Sequence, residues 1–185
     1  MKRGALLFCL LLPGCAIEEM EAGSETSVGN GVYVTPQPGF AEIHLAAIHY
    51  WTRNGTGLDE LAFYTGVKNG EPLFAVPGKA KKDLPAFRSR MTPNDIADLT
   101  ASALSVKYKQ TARTGNLHPC PFGPVSGFCF DLFLANEEGL EMRGRAIARL
   151  QDGVLDLLVL TAPADYYFGE IAPAADRIFG SIVLK

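Results

Sequence analysis

The sequence predicts an α+β fold, an antiparallel sheet with helices packed on it in a single domain. Three observations carry this. The last third reads as three consecutive strands on short turns, which form an antiparallel meander. Two other segments repeat their apolar residues at spacings of three and four, the period of a helix packed by one face. Removal of an N-terminal signal would leave about 170 residues, enough for one buried core.

The elements follow in chain order. Residues 16–30 are acidic and rich in Gly and Ser, and the composition predicts a flexible tether. Gly31 to Thr35 is a strand stopped by Pro36-Gln37-Pro38-Gly39, and Glu42 to Trp51 reads as another, with Ala46-Ala47 interrupting its alternation. Leu58 to Val67 is a strand that closes at Asn69-Gly70, a pair suited to a tight turn, so Glu71 to Val76 is expected to return alongside it. Lys79 to Arg90 reads as a surface loop. Thr92-Pro93-Asn94-Asp95 then supplies a hydroxyl cap, a proline at the first helical position and a carboxylate in the first turn. A helix from Pro93 to about Leu104 follows, and Val106 to Thr111 is assigned to a strand.

The meander comprises Phe128 to Ala135, Leu140 to Leu150 and Val154 to Thr161, joined at Asn136-Glu137-Glu138-Gly139 and Gln151-Asp152-Gly153. Its third strand is almost wholly apolar, which predicts a central place covered on both faces. In the middle strand Arg143, Arg145 and Arg149 point one way while Met142, Gly144, Ala146 and Ala148 point the other. That small-residue face would admit a closely packed helix. Tyr166 to Ser181, with Phe168, Ile171, Ala175 and Ile178 on one stripe and Pro173 near its start, is the candidate.

The chain opens with Lys2 and Arg3, then an apolar run from Ala5 to Leu12, then Gly14 before Cys15. This is the layout of an export signal, and the run is shorter than the roughly 20 apolar residues a spanning helix needs. Leu12-Pro13-Gly14-Cys15 resembles a lipobox, with Pro13 where small residues are usual. The resemblance implies diacylglycerol on the Cys15 sulfur, cleavage before it, and acylation of the new amino terminus. Residues 1–14 are then a signal peptide, 15–30 a lipidated tether and 31–185 the globular domain. Two or three acyl chains hold a protein on a membrane far more firmly than a single chain. Ala16 after the cysteine, rather than Asp, implies the outer membrane of a two-membrane cell. The competing reading is an ordinary cleaved secretion signal.

Cys9 lies in the signal and Cys15 in the lipobox, which leaves Cys120 and Cys129 in an exported chain. An oxidising compartment favours a disulfide between them. Free thiols, or zinc held with His118, are the alternatives, although the spacing matches no common zinc module and no fourth ligand is evident.

A formal net charge of -3 and one short basic run, Lys79 to Lys82, give no footprint for nucleic acid. No motif for a nucleophile, a phosphate loop or a metal helix occurs, so the sequence points away from an enzyme and assigns no cofactor and no metal. His44 and His49, five apart, would fall on opposite faces of a single strand. Arg143, Arg145 and Arg149 are candidates for a cationic strip that meets an anionic ligand or partner, because guanidinium binds carboxylate and phosphate through two prongs. A solvated face with cross-strand partners such as Asp131 and Asp156 is the alternative. Tyr64, Tyr166 and Tyr167 are candidates to line an aromatic cleft, against ordinary core and rim packing.

Gly127-Phe128-Cys129-Phe130-Asp131, Gly144-Arg145-Ala146, Tyr166-Tyr167-Phe168 and Ile178-Phe179-Gly180-Ser181-Ile182 resemble segments of uncharacterised small proteobacterial lipoproteins, as do Leu58-Asp59-Glu60-Leu61 and Phe63-Tyr64-Thr65-Gly66. The order of strands, helix, meander and terminal helix is similar to the PsbP-like α/β/α sandwich. That likeness implies a binding or assembly factor in the cell envelope, attached to a membrane through lipid and engaging an envelope protein. A binding module for a small or anionic ligand is the second expectation.

Overall fold

The computed structural model describes residues 16–45, 48–135 and 138–185, so the signal segment and Cys15 lie outside the described residues. The N-terminal half supplies β1 (Ala16–Glu19), β2 (Thr26–Gly29), β3 (Val32–Val34), β4 (Ala41–Leu45), β5 (Ile48–Thr52), β6 (Glu60–Val67) and α1 (Pro93–Tyr108). The C-terminal half supplies β7 (Arg113–Phe122), β8 (Val125–Ala135), β9 (Glu141–Gln151), β10 (Val154–Pro163), α2 (Tyr167–Gly180) and β11 (Val183–Leu184). Eight strands form one sheet in the order β1-β4-β5-β6-β10-β9-β8-β7, and β11-β3-β2 form a second, smaller one.

The large sheet carries a core on each face. On one side Ile96, Leu99 and Leu104 of α1 pack with Phe130, Leu157 and Val159. On the other, Ile171, Ala175 and Ile178 of α2 join Val32 and Val34 of the small sheet against Leu158 and Leu160. Successive β10 residues therefore feed opposite cores, and every residue from Leu155 to Pro163 is buried. This is the covered, central strand that its apolar run predicts.

Local chemistry fixes the elements beside it. Thr92 Oγ1 accepts from the Asp95 amide while the Asp95 carboxylate accepts from the Thr92 amide, a capping box at the start of α1. The helix runs one turn beyond the expected end, through Val106, Lys107 and Tyr108, and stops where Lys109 turns left-handed at φ 54°. The expected strand at 106–111 is therefore helical in its first half. The β9–β10 hairpin turns through Asp152 and Gly153, both at positive φ, as a tight two-residue connection requires. Gly144 has no room for a side chain, since a Cβ there would lie 2.6 Å from the Leu160 carbonyl oxygen and 3.0 Å from Leu132 Cβ.

Several expectations are corrected. Segment 16–30 is not a tether throughout: β1 pairs with β4, β2 pairs with β3, and Val28 is buried. Its polar composition conceals two strands: β1, whose partner β4 lies further along the chain, and β2, which buries Val28 and forms a hairpin with the adjacent β3. Segment 42–51 is a hairpin of β4 and β5, whose register sets His44 opposite His49. Segment 71–76 is not a return strand beside β6, which lies between β5 and β10 in the sheet, and instead meets Ala86 through Pro72 at one isolated bridge. The strand β7 was not expected: Pro119 and Pro121 break the usual strand signal, yet at a sheet edge a missing N–H costs no ladder bond. Finally, Ala146 and Ala148 lie in the core beneath α1, whereas α2 packs on the face that carries Ile147. The alternation of β9 separates its two faces correctly but does not say which helix covers each.

Candidate functional site

A half-enclosed cleft of about 290 Å³ opens along β6, between Tyr64 and the segment that carries Phe74. Strand parity aims Glu60, Ala62 and Tyr64 at the α1 side of the sheet. The chain after Asn69-Gly70 folds back over them, held by the Gly70 amide donating to the Phe87 carbonyl at 2.8 Å and the Phe87 amide donating to that of Glu71 at 2.7 Å. This brings the Phe74 ring to 5.1 Å from Tyr64, at a tilt of 38°. From the last turn of α1, Lys107 reaches in to form an ion pair with Glu60. Its ammonium lies 5.7 Å from the Phe74 centroid and 5.2 Å from that of Tyr108, within cation–π range.

The electrostatics decide what the cleft can do. Burial pushes the Tyr64 phenol well above its ordinary value, and burial likewise raises Tyr108, whose hydroxyl sits 3.3 Å from Thr161 Oγ1. Burial alone would lower Lys107, but attraction to Tyr64, Glu60 and Tyr108 outweighs it and the ammonium is held above its normal range. At neutral pH the cleft therefore presents two neutral phenols and one firmly protonated lysine. A phenol that keeps its proton is no general base, and a protonated amine is no nucleophile. Aromatic faces beside one fixed ion pair are the lining of a small-molecule recognition cleft.

The sequence-selected residues are dispersed. Tyr64 lines this cleft, but Tyr167, the first residue of α2, is half-buried against the core on the opposite face of the sheet, and Tyr166 stands exposed beside it with ring centroids 5.3 Å apart. One aromatic cleft built from all three is corrected by that separation. Arg143, Arg145 and Arg149 do share a face of β9, and carboxylates interrupt their charge. Arg145 Nη1 donates to Asp176 Oδ1 at 2.6 Å, with Asp131 3.9 Å from its Nε. Arg149 Nε donates to Asp156 Oδ2 at 2.8 Å and stacks 5.4 Å from Phe122. Asp131 and Asp156 stand directly across from Arg145 and Arg149 in the strand register, the cross-strand pairing of the alternative reading.

Cys120 and Cys129 are joined in a disulfide between β7 and β8, with Cα atoms 5.8 Å apart. Sulfurs bonded to each other are not zinc ligands, and His118 Nδ1 is 2.6 Å from the Asn116 carbonyl. Cys15 lies outside the described residues, and no described helix is long and apolar enough to cross a membrane. Sequence reasoning missed Lys107, Glu60 and Phe74. Lys107 and Glu60 are 47 positions apart, so only the packing of α1 on the sheet unites them.

No family model matches the sequence, and no curated protein matches it either. Among solved structures, the solution structure of cyanobacterial PsbP (CyanoP) from Synechocystis sp. PCC 6803 is similar over 98% of this chain and 100% of that one, with a TM-score of 0.58 at 12% identity. At that identity the likeness concerns the fold, and the fold of this chain is PsbP-like.

Proposed function

We propose that this protein is a lipid-anchored, non-catalytic interaction domain of the bacterial cell envelope, carried on Cys15 at the outer membrane and facing the periplasm. The observation that carries the reading is a Leu12-Pro13-Gly14-Cys15 sequence followed at the very next residue by a PsbP-like body. Acylation would hold that body at the bilayer surface, where it engages an envelope protein. The disulfide at Cys120–Cys129 supports an oxidising compartment. The charge states of the cleft support binding over catalysis, since Lys107 is held protonated and Tyr64 neutral. Metabolic labelling with a clickable fatty acid, followed by cross-linking in cells, tests the proposal. Label on the wild type but not on Cys15→Ser, together with a cross-linked protein captured only by the wild type, is expected. Label retained by Cys15→Ser, or cross-linking that captures nothing, would overturn it.

A second reading is favoured by the cleft itself. A small ligand with an apolar body would lie between Tyr64 and Phe74 and set a polar end against Lys107. A thermal-shift screen would find such a ligand, and loss of the shift in Phe74→Ala would place it there.

A further inference from the structure

The polar groups that line the β6 cleft are incompletely paired. Thr65 is committed elsewhere, since its hydroxyl donates to the Val28 carbonyl at 2.6 Å. Lys107 carries three N–H groups, of which one donates to Glu60 Oε1, and the second oxygen of Glu60 accepts nothing among the described residues. The Tyr64 hydroxyl likewise has no hydrogen-bond partner among the described residues. No buried side-chain nitrogen or oxygen lacks a partner among the described residues, so this hydroxyl reaches open space, and the space that Tyr64 lines is the cleft. Glu60 and Lys107 line it too, with 19% and 23% of their side-chain surface exposed.

These three groups define the head of a molecule that closes over them. A polar group covered without a partner loses its hydration uncompensated. A purely apolar molecule would leave all three in that state. An anion would accept from Lys107 and Tyr64 but face the free oxygen of Glu60, and a cation would donate to Glu60 but face Lys107. A head that carries both charges satisfies every group: its carboxylate accepts from Lys107 and Tyr64, and its ammonium donates to Glu60. The walls at Phe63, Leu73, Phe74 and Val76 are apolar and take the body of the molecule. A volume of about 290 Å³ stands at the small end of ligand pockets, which run from roughly 300 to 1,000 Å³, and so suits a molecule of few atoms.

We propose that the cleft binds a small zwitterion with an apolar side chain, the chemistry of a free apolar amino acid. The inference rests on the second reading of the cleft as a small-ligand site. The Glu60–Lys107 ion pair is then the selector for a head of no net charge, and the Tyr64 hydroxyl is the additional donor that fixes the carboxylate.

The test is isothermal titration calorimetry on the full-length protein with L-phenylalanine, with hydrocinnamate, which lacks its ammonium, and with phenethylamine, which lacks its carboxylate. L-Phenylalanine is expected to bind at least about tenfold more tightly than either, the effect of one charged hydrogen bond. Tyr64→Phe removes only the hydroxyl and should weaken L-phenylalanine by about tenfold. Glu60→Gln should abolish the preference over hydrocinnamate, a change of selectivity that a packing defect does not produce. Unchanged near-ultraviolet circular dichroism confirms that each variant is folded, and the comparison of the three probes on the parent protein needs no variant. Failure of L-phenylalanine to bind, or binding of hydrocinnamate or phenethylamine as tight as that of L-phenylalanine, overturns the inference, as does a preference that survives Glu60→Gln. The cleft remains a ligand site if any compound of the thermal-shift screen loses its shift in Phe74→Ala, and falls with the inference if none does.

Discussion

Asp156 and Arg149 face each other across the β9–β10 hairpin, with Arg149 Nε 2.8 Å from Asp156 Oδ2. The other oxygen of Asp156 accepts from Asn30 Nδ2 at 2.8 Å and from the Gly66 amide at 2.8 Å. One carboxylate at 1% exposure thus joins the turn between β2 and β3, the end of β6 and the central hairpin. All of its partners are donors, so removing its charge leaves Arg149 Nε, Asn30 Nδ2 and the Gly66 amide without this acceptor, while Arg149 Nη1 keeps Gln151 Oε1. Asp156→Ala is expected to cost about 3 to 5 kcal/mol, the penalty for breaking a buried pair from one side. Urea unfolding checks this, and a loss below about 1 kcal/mol would mean that water replaces the carboxylate.

The Cys120–Cys129 bridge closes a short loop, with a sequence separation of 9, and fastens the edge strand β7 to β8. In the chain-entropy model such a loop contributes about 2.5 kcal/mol. Cys120→Ala/Cys129→Ala should shift the urea midpoint downward by that order without a change of slope. A changed slope would show that β7 detaches before the rest unfolds.

Alkaline pH tests the cleft. Unfolded Tyr64 and Lys107 ionise near 10.0 and 10.5, and both are raised in the folded protein, Tyr64 by burial and Lys107 by its anionic neighbours against burial. Above pH 10 the folded state therefore holds protons that the unfolded chain has released, so stability from these groups is complete below pH 10 and declines as pH rises through their folded values. Urea titrations at neutral and strongly alkaline pH should show this decline, and Tyr64→Phe should flatten it. An unchanged pH profile in Tyr64→Phe would place the phenol in water.

Gly144 sits under the α1 layer with Leu160 and Leu132 at contact. Gly144→Ala should destabilise by about 1 to 3 kcal/mol, because the central sheet must spread to admit one methyl. The same change at Gly139, whose Cβ position meets nothing within 4 Å, carries the conformational cost of its φ of 83° and no clash. Thermal unfolding of the two variants, compared with that of the parent, separates crowding from backbone strain.

Much of the fold was legible because its strongest signals are local. The apolar run of β10, the Asp152-Gly153 turn and the Thr92/Asp95 cap each state their structure within a few residues. What escaped carries no strong local pattern of its own, whether its partner is separated in sequence, as for β1, or adjacent, as for β2 and β7. The strands β1 and β2 look like linker until β4 and β3 supply their hydrogen bonds, and β7 carries prolines that only an edge position tolerates. The cleft was legible in one residue, Tyr64; Lys107 falls in a segment that reads as strand, and Tyr166 and Tyr167, candidates for the same cleft, stand at the start of α2 on the other side of the sheet. Parity along a strand tells which residues share a side, but the packing of α1 and α2 tells which side that is.

Lipid attachment at Cys15 is tested by the intact mass of the mature protein extracted from membranes, with sequencing of its first residue by fragmentation. A lipid-anchored protein yields a chain that begins at Cys15 and carries the added mass of diacylglycerol and an N-acyl group on that residue. A chain that begins elsewhere, or one that begins at Cys15 with an unmodified sulfur, would contradict that attachment.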